Sequence, residues 1–355
     1  MSGENLVLIG FALLPLALAG AVFAFFRRTD GAPSVGRLVA GNLLILLLLV
    51  SLALPIGEVY FRYFYDATES FGFSKVGNRW YQTYFKKNVS GYRDSLEEYR
   101  MHLSAGRPRV TFVGDSFTTG QGVPDVEHRF VNRIRALRGH WEVHAIADNG
   151  WHTGVELEEL ETITGQGYQL DEVVLVYCLN DAADLVPEWQ ESVEWVMENR
   201  RETWLVAKSY LINTYYYRWM AARNPRIASY YDFMLEAYSG AIWEAQRERL
   251  LALMSFATER GAKLRVVTFP FLNLMGGGEY EYAWVHDTLG TFWREHGVPH
   301  LDLLGIFASS DPGDLVVNPY DAHPNERAHE MAARAIAAFL EAESDARRRP
   351  ASVAH

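Results

Sequence analysis

The chain has 355 residues, a formal net charge of −11 and an apolar content of 49%. That length allows one large domain or two modest ones, and that composition supports a packed core. No basic stripe stands out, and the one short run, Arg347 to Arg349, falls in a C-terminal tail, so the composition excludes a nucleic-acid binder. The acidity reads as a solvated surface. Cys178 is the sole cysteine, which excludes an intrachain disulfide and a cysteine-based zinc site. It lies within the apolar run Val173 to Leu179 and reads as a buried structural thiol rather than a nucleophile.

Leu6 to Phe26 carries no charged residue, and about twenty apolar residues span a bilayer as a helix. Leu38 to Ile56 is a second such stretch, so residues 1–57 read as a two-span hairpin. A buried apolar hairpin in a soluble domain is the competing reading. Glu4 is the sole charge before the first stretch, which favours a retained span over a cleaved signal peptide. The loop between them holds Arg27, Arg28 and Arg37 against Asp30. The positive-inside rule places that loop in the cytoplasm, with both termini and everything after Ile56 outside.

Residues 58–107 form a polar, aromatic connector. Tyr60, Phe61, Tyr63, Phe64 and Tyr65 follow the second stretch directly and suit either a membrane-interface belt or a packed connector. From Arg109 strands and helices alternate. Val110 to Val113, Glu142 to Ala147, Glu172 to Cys178, Lys263 to Phe269 and Pro299 to Leu303 read as strands. Helices are expected over Val126 to Leu137, from about Thr153, over Ala241 to Arg260, and over Asn325 to Glu343. Continuous apolar strands alternating with helices predict a parallel sheet covered on both faces, a three-layer α/β/α domain over residues 108–345. Residues 184–240 interrupt it with a helical stretch dense in Trp and Tyr. It reads as a groove wall, a membrane- or partner-facing surface, or an enlarged core. Gly276 to Gly278 reads as a flexible loop, and residues 346–355 as a flexible tail.

Three segments lie where such a fold places chemistry, at the carboxyl ends of strands. Gly114-Asp115-Ser116 follows the first strand, which presents a serine hydroxyl at the sheet edge. By itself the triplet is as consistent with helix capping. Asn180 follows the third strand, where its side-chain amide can donate to developing negative charge. Asp321-Ala322-His323-Pro324 precedes the last helix. Pro324 biases His323 towards an extended backbone, in which residues two apart share a side. Asp321 can then reach His323 and set its tautomer, the part an acid plays beside a catalytic imidazole.

With these segments in order, residues 88–340 resemble the SGNH hydrolase superfamily, also called GDSL esterases and lipases, in its membrane-attached bacterial form. Gly114-Asp115-Ser116-Phe117 is similar to the first block. Asn149-Gly150, followed by Trp151-His152-Thr153, is similar to the second. Leu179-Asn180-Asp181 is similar to the third, and Asp321 with His323 to the last. Ser90-Gly91-Tyr92-Arg93-Asp94 resembles a segment of membrane-attached members. Four departures stand out. Phe117 replaces Leu, Cys178 stands where Gly is usual, Asp321 and His323 are two apart rather than three, and Ala328 replaces Gly before His329.

The resemblance implies a flavodoxin-like three-layer domain with Ser116 as nucleophile, His323 as base and Asp321 as its orienting acid. It implies an oxyanion hole built from the Ser116 and Gly150 amides and the Asn180 side chain. Asp115 is expected to brace the turn, and His329 to serve packing. No metal or organic cofactor is implied. The expected partners are a lipid bilayer, an acylated carbohydrate or other ester, and other membrane proteins. The expected location is the inner membrane of a bacterium, with the domain outside the cytoplasm. Three functions follow: an ester hydrolase acting on O-acylated envelope or exported glycan, an O-acyltransferase to polysaccharide, or an inactive subunit of a membrane complex.

Overall fold

A computed structural model describes residues 1–28, 34–70, 72–199, 202–276 and 278–348. The middle of the arginine-bearing loop, Gly277 and the tail from Arg349 lie outside the described residues. The chain packs as two compact units.

The first unit gathers Met1–Ala67, Gly72–Arg79 and Met197–Pro225. Two helices dominate it, Gly3–Arg27 and Val35–Val59. Ser2 and Ser34 cap them, each accepting from an amide three residues on. Gly41 lets them approach: a Cβ there would meet Phe26 Cζ at 3.0 Å. Leu13, Leu16, Leu46, Leu47 and Leu49 remain exposed along them. Both helices are long and apolar enough to cross a membrane. Part of the aromatic stretch that follows the third strand, residues 197–225, packs in this unit.

The second unit holds Thr68–Phe71, Trp80–Val196 and the chain from Arg226. Its sheet has five parallel strands: β1 Arg109–Gly114, β2 Glu142–Ala147, β3 Glu172–Cys178, β4 Lys263–Phe269 and β5 His300–Asp302. Their order is β2-β1-β3-β4-β5. Strands β1, β2 and β3 are buried along their whole length, as expected for strands covered on both faces. Alternate residues serve opposite layers. Val113, Ile146 and Val173 pack with Leu160, Ile163 and Phe256 of two helices, Thr153–Gly165 and Gly240–Glu259. Phe112 of β1 meets Phe130 edge-on, and the Phe130–Leu137 helix packs against the terminal helix Glu326–Arg348.

Two helix boundaries differ from expectation by more than two residues. The segment 126–137 is a 3₁₀ turn, Val126–His128, and then a helix from Phe130. Asp125 caps the short turn by accepting from the Glu127 amide. Arg129 is extended, at ψ 154°, and sends its guanidinium to Asp94 and Asn132. The last helix runs on to Arg348 rather than ending at Glu343.

Asp94 anchors this part of the domain. Its carboxylate is fully buried and accepts from Arg129 at 2.8 Å, Arg135 at 2.8 and 2.7 Å, and Tyr99 at 2.5 Å. Burial pushes the carboxyl up, but the two guanidinium groups outweigh it and hold it well below the usual range. Asp94→Ala leaves buried Arg129 without its counter-ion and is expected to cost about 3–5 kcal/mol in denaturant unfolding of the full chain. Because the folded pKa is depressed, this stabilisation is present above an unfolded value of about 3.9 and is lost as pH falls below it.

Candidate active site

Gly114 ends β1 where a side chain has no room: a Cβ would lie 2.3 Å from Thr118 Oγ1 and 3.0 Å from the Val176 carbonyl. The chain turns there into the short helix Ser116–Thr119. Asp115 caps it, its Oδ1 accepting from the Phe117 amide at 2.8 Å. The far end is clamped by buried Arg93, which donates to the carbonyls of Thr119, Gly120 and Val123 at 2.9, 2.6 and 2.6 Å. The conformation of the serine turn is therefore set from both ends.

The imidazole comes from β7, Asp321–Pro324, which pairs antiparallel with β6, Val316–Asn318. Thr68 to Ser70 brace this hairpin. The Ser70 amide donates to the Tyr320 carbonyl at 2.9 Å, Ser70 Oγ accepts from the Ala322 amide at 3.0 Å, and Asn318 donates to the Thr68 carbonyl at 3.0 Å. On β7, Asp321 Oδ1 lies 2.5 Å from His323 Nδ1 and also accepts the His323 amide at 3.1 Å. His323 Nε2 lies 2.8 Å from Ser116 Oγ. With the Nδ1 proton directed to the carboxylate, Nε2 is left to accept from the serine hydroxyl, a tautomer inferred from the hydrogen bonds. Asp115 Oδ2 is farther from that hydroxyl, at 3.4 Å.

The electrostatics agree with that tautomer. Burial pushes His323 down, but the charge and hydrogen bond of Asp321 outweigh it and raise the imidazole above its ordinary value. Burial likewise pushes Asp321 up, and His323, with help from the Thr68 hydroxyl, brings it below the ordinary carboxylate value.

Gly150 lies beyond β2 with φ of +77°, a left-handed conformation that favours glycine. The preceding Asn149 locks the turn. It accepts from Thr119 Oγ1 at 2.6 Å and donates to Tyr81 at 3.0 Å and Gln121 at 2.9 Å. Among the described residues, neither the Ser116 nor the Gly150 amide donates to a protein acceptor. Asn180, past the end of β3, donates from Nδ2 to Asp115 Oδ2 at 3.2 Å. Ser116, His323 and Asp321 are thus joined by direct hydrogen bonds. Asn180 is tied to them through Asp115, and Gly150 through Asn149 and Thr119. Asp115 braces more than its own turn, because it also holds the Asn180 amide.

Thr68, Ser70 and Glu156, which lie around the site, carried no sequence signal. Thr68 and Ser70 lie some 250 positions before the strand they brace. Glu156 and Asp181 are fully buried near Asp115, and each is raised well above its ordinary value. Burial is the first cause for each; the charge of Asp115 adds to it at Glu156, and the charges of Glu156 and Asp115 add to it at Asp181. Asp184, past β3, accepts both Arg249 nitrogens at 2.8 and 2.7 Å and lies 3.4 Å from His152, so it links the segments that follow Asn180 and Gly150. His329 is buried, accepts from the Phe130 amide at 3.2 Å, and is pushed down to about 3 by burial and neighbouring arginines, as suits a packing role. Cys178 is buried, and burial pushes its thiol well up.

The sheet order β2-β1-β3-β4-β5, with the serine turn after β1 and the histidine just before the last helix, defines a three-layer α/β domain. In this chain that domain follows two helices long and apolar enough to cross a membrane. No family model and no curated protein matches the sequence. Similar solved structures include an extracellular lipase from Streptomyces rimosus, at 15% identity over 66% of this chain and 99% of that one, with a TM-score of 0.42. A member of the lipolytic protein G-D-S-L family from Veillonella parvula is similar at 15% identity over 64% and 94%, with a TM-score of 0.38. A catalytic mutant of an acetylxylan esterase from Geobacillus stearothermophilus is similar at 12% identity over 67% and 96%, with a TM-score of 0.40.

Proposed function

We propose that the protein is a membrane-anchored serine esterase acting outside the cytoplasmic membrane on an O-acylated envelope or exported glycan. The observation that carries the chemistry is the continuous path from Ser116 Oγ through His323 to Asp321, at 2.8 and 2.5 Å. Ser116 attacks the acyl carbonyl while His323 Nε2 takes its proton. The oxygen that becomes negative receives the Ser116 and Gly150 amides and the Asn180 side chain. Collapse breaks the acyl–oxygen bond, and the departing alkoxide takes the proton from His323. Water then attacks the acyl-enzyme by the same route and releases the acid. The anchoring rests on the two apolar helices, and the orientation on Arg27, Arg28 and Arg37 between them. The choice of a glycan substrate rests on the resemblance to membrane-tethered, outward-facing members that edit acyl groups on envelope or exported polysaccharides.

Purified full-length protein in detergent is expected to hydrolyse 4-nitrophenyl acetate and to be labelled by a fluorophosphonate probe. If it does neither, the esterase reading is wrong, and an inactive subunit remains. An added oligosaccharide separates the acceptors, because acetylated sugar forms only if a sugar hydroxyl replaces water. Asn180→Ala is expected to lower kcat about 10²–10³-fold with little change in KM, since its amide works mainly on the charge that develops in the transition state.

A further inference from the structure

The first unit presents a second kind of surface. In the helix Gly3–Arg27 the uncharged stretch between Asn5 and Arg27 measures about 31 Å at about 1.5 Å per residue, close to the thickness of a bilayer hydrocarbon core. Polar groups collect at its N-terminal end. Glu4 pairs with Lys75 at 2.7 Å, and Asn5 accepts from Arg62 at 2.8 Å. The second helix reaches the same collar with Glu58, which is fully buried. Glu58 accepts from Ser209 Oγ at 2.7 Å and from the Tyr210 and Leu211 amides at 3.0 Å each.

Those three donors are the N-cap and first amides of the helix Tyr210–Arg223. A carboxylate at a helix N-terminus satisfies orphan amides and complements the dipole, so this helix is pinned where the apolar run stops. Gly57 adds close packing, since a Cβ there would meet Leu211 Cδ1 at 3.0 Å. A segment some 150 positions from Glu58 is thereby brought to the end of the apolar hairpin.

Large rings are exposed on these segments. Tyr63 and Phe64, in the π-helical turn that ends the second helix, are 60% and 72% exposed. Trp204, Tyr215 and Trp219, on the pinned segment, are 56%, 57% and 54% exposed. Cations accompany them: the Arg62 guanidinium lies 5.3 Å from the Tyr63 ring, and that of Arg223 lies 5.2 Å from the Trp219 ring. Tyrosine and tryptophan rings, with an apolar body and a polar edge, interleaved with arginine, match the carbonyl and phosphate layer of a phospholipid leaflet.

We propose that residues 60–64 and 204–223 form an aromatic belt seated in the phospholipid headgroup layer of the bilayer that the two apolar helices cross. The belt rests on the membrane-anchoring reading and assigns the aromatic stretch a lipid partner. Cys178 is fully buried, so the native chain offers no ready site to a thiol-reactive nitroxide.

Single cysteines at Trp204, Tyr215 and Trp219 are placed in the full chain and labelled in phosphatidylethanolamine–phosphatidylglycerol vesicles. Leu16→Cys and Leu47→Cys report the spans, and Arg334→Cys on the terminal helix reports exposed protein. Collision with oxygen relative to a nickel chelate then measures depth. The belt labels are expected to give ratios several-fold above Arg334→Cys and below Leu16→Cys and Leu47→Cys. Aqueous ratios at the belt beside hydrocarbon ratios at the spans overturn the belt and leave anchoring intact. Labels shielded from both reagents also overturn it, because a protein then covers the surface. Aqueous ratios at all positions overturn belt and anchoring together. Unlabelled native protein and circular dichroism of each variant exclude misfolding as the source of any of these patterns.

Discussion

Replacing Ser116 by alanine is expected to reduce ester turnover about 10⁶-fold, to the level sustained by the oxyanion donors and substrate binding alone. The substitution removes the attacking oxygen and the group 2.8 Å from His323 Nε2. It removes nothing that shapes the turn, because Asp115 caps the short helix through its own side chain and Arg93 holds the carbonyls at the far end. Stability is therefore expected to change by no more than about 1 kcal/mol, the net worth of one hydrogen bond. Parallel measurements of 4-nitrophenyl acetate hydrolysis, fluorophosphonate labelling and thermal unfolding check this. A variant that stays folded and keeps native turnover would remove Ser116 from the chemistry.

Asp321→Asn is expected to lower kcat about 10⁴-fold and to move the acid limb of the rate profile. The reaction needs neutral His323 as base, so activity rises with pH through the histidine pKa. In the native protein that limb lies above the ordinary value of about 6.5, because Asp321 outweighs burial. The amide removes the charge that raises the imidazole, leaves burial pushing it down, and so shifts the limb towards acid.

Stability carries its own signature. His323, with a raised folded pKa, contributes fully below its unfolded value and loses that contribution as pH rises through the folded one. Asp321, with a lowered pKa, contributes above its unfolded value of about 3.9 and loses that contribution on acidification. The native protein should therefore exceed the variant in stability most clearly between about pH 4 and 6.5. A limb that stays in place would show that Asp321 does not set the histidine.

The α/β domain was legible because its signal is local. Continuous apolar runs such as Val173 to Leu179 read as strands buried on both faces, and β3 is buried throughout. The Gly-Asp-Ser turn and the Asp-x-His segment were legible for the same reason, since strand ends and a proline-restricted backbone aim side chains without help from distant residues. The start of the helix at Phe130 was not, because Arg129 leaves the helical path for partners at Asp94 and Asn132, one of them 35 positions away. The aromatic stretch after β3 was equally opaque. Its sequence reads as helical, but the partner of Tyr210–Arg223 is one buried carboxylate, Glu58, some 150 positions earlier.

The amino-acid sequence by itself determined the order of strands and helices, two uncharged stretches long enough for a bilayer, and the segments that carry Ser116, Asp321 and His323. Hydropathy, periodicity and backbone preference act over a few residues and can be read in one dimension. Only the tertiary structure decided that Asp115 holds the Asn180 amide, that Thr68 and Ser70 brace the histidine strand, and that residues 197–225 pack with the apolar helices. Each depends on a hydrogen bond or a buried charge between segments far apart in the chain. Such pairing is set by which groups the fold deprives of water together, and that has no trace in local composition.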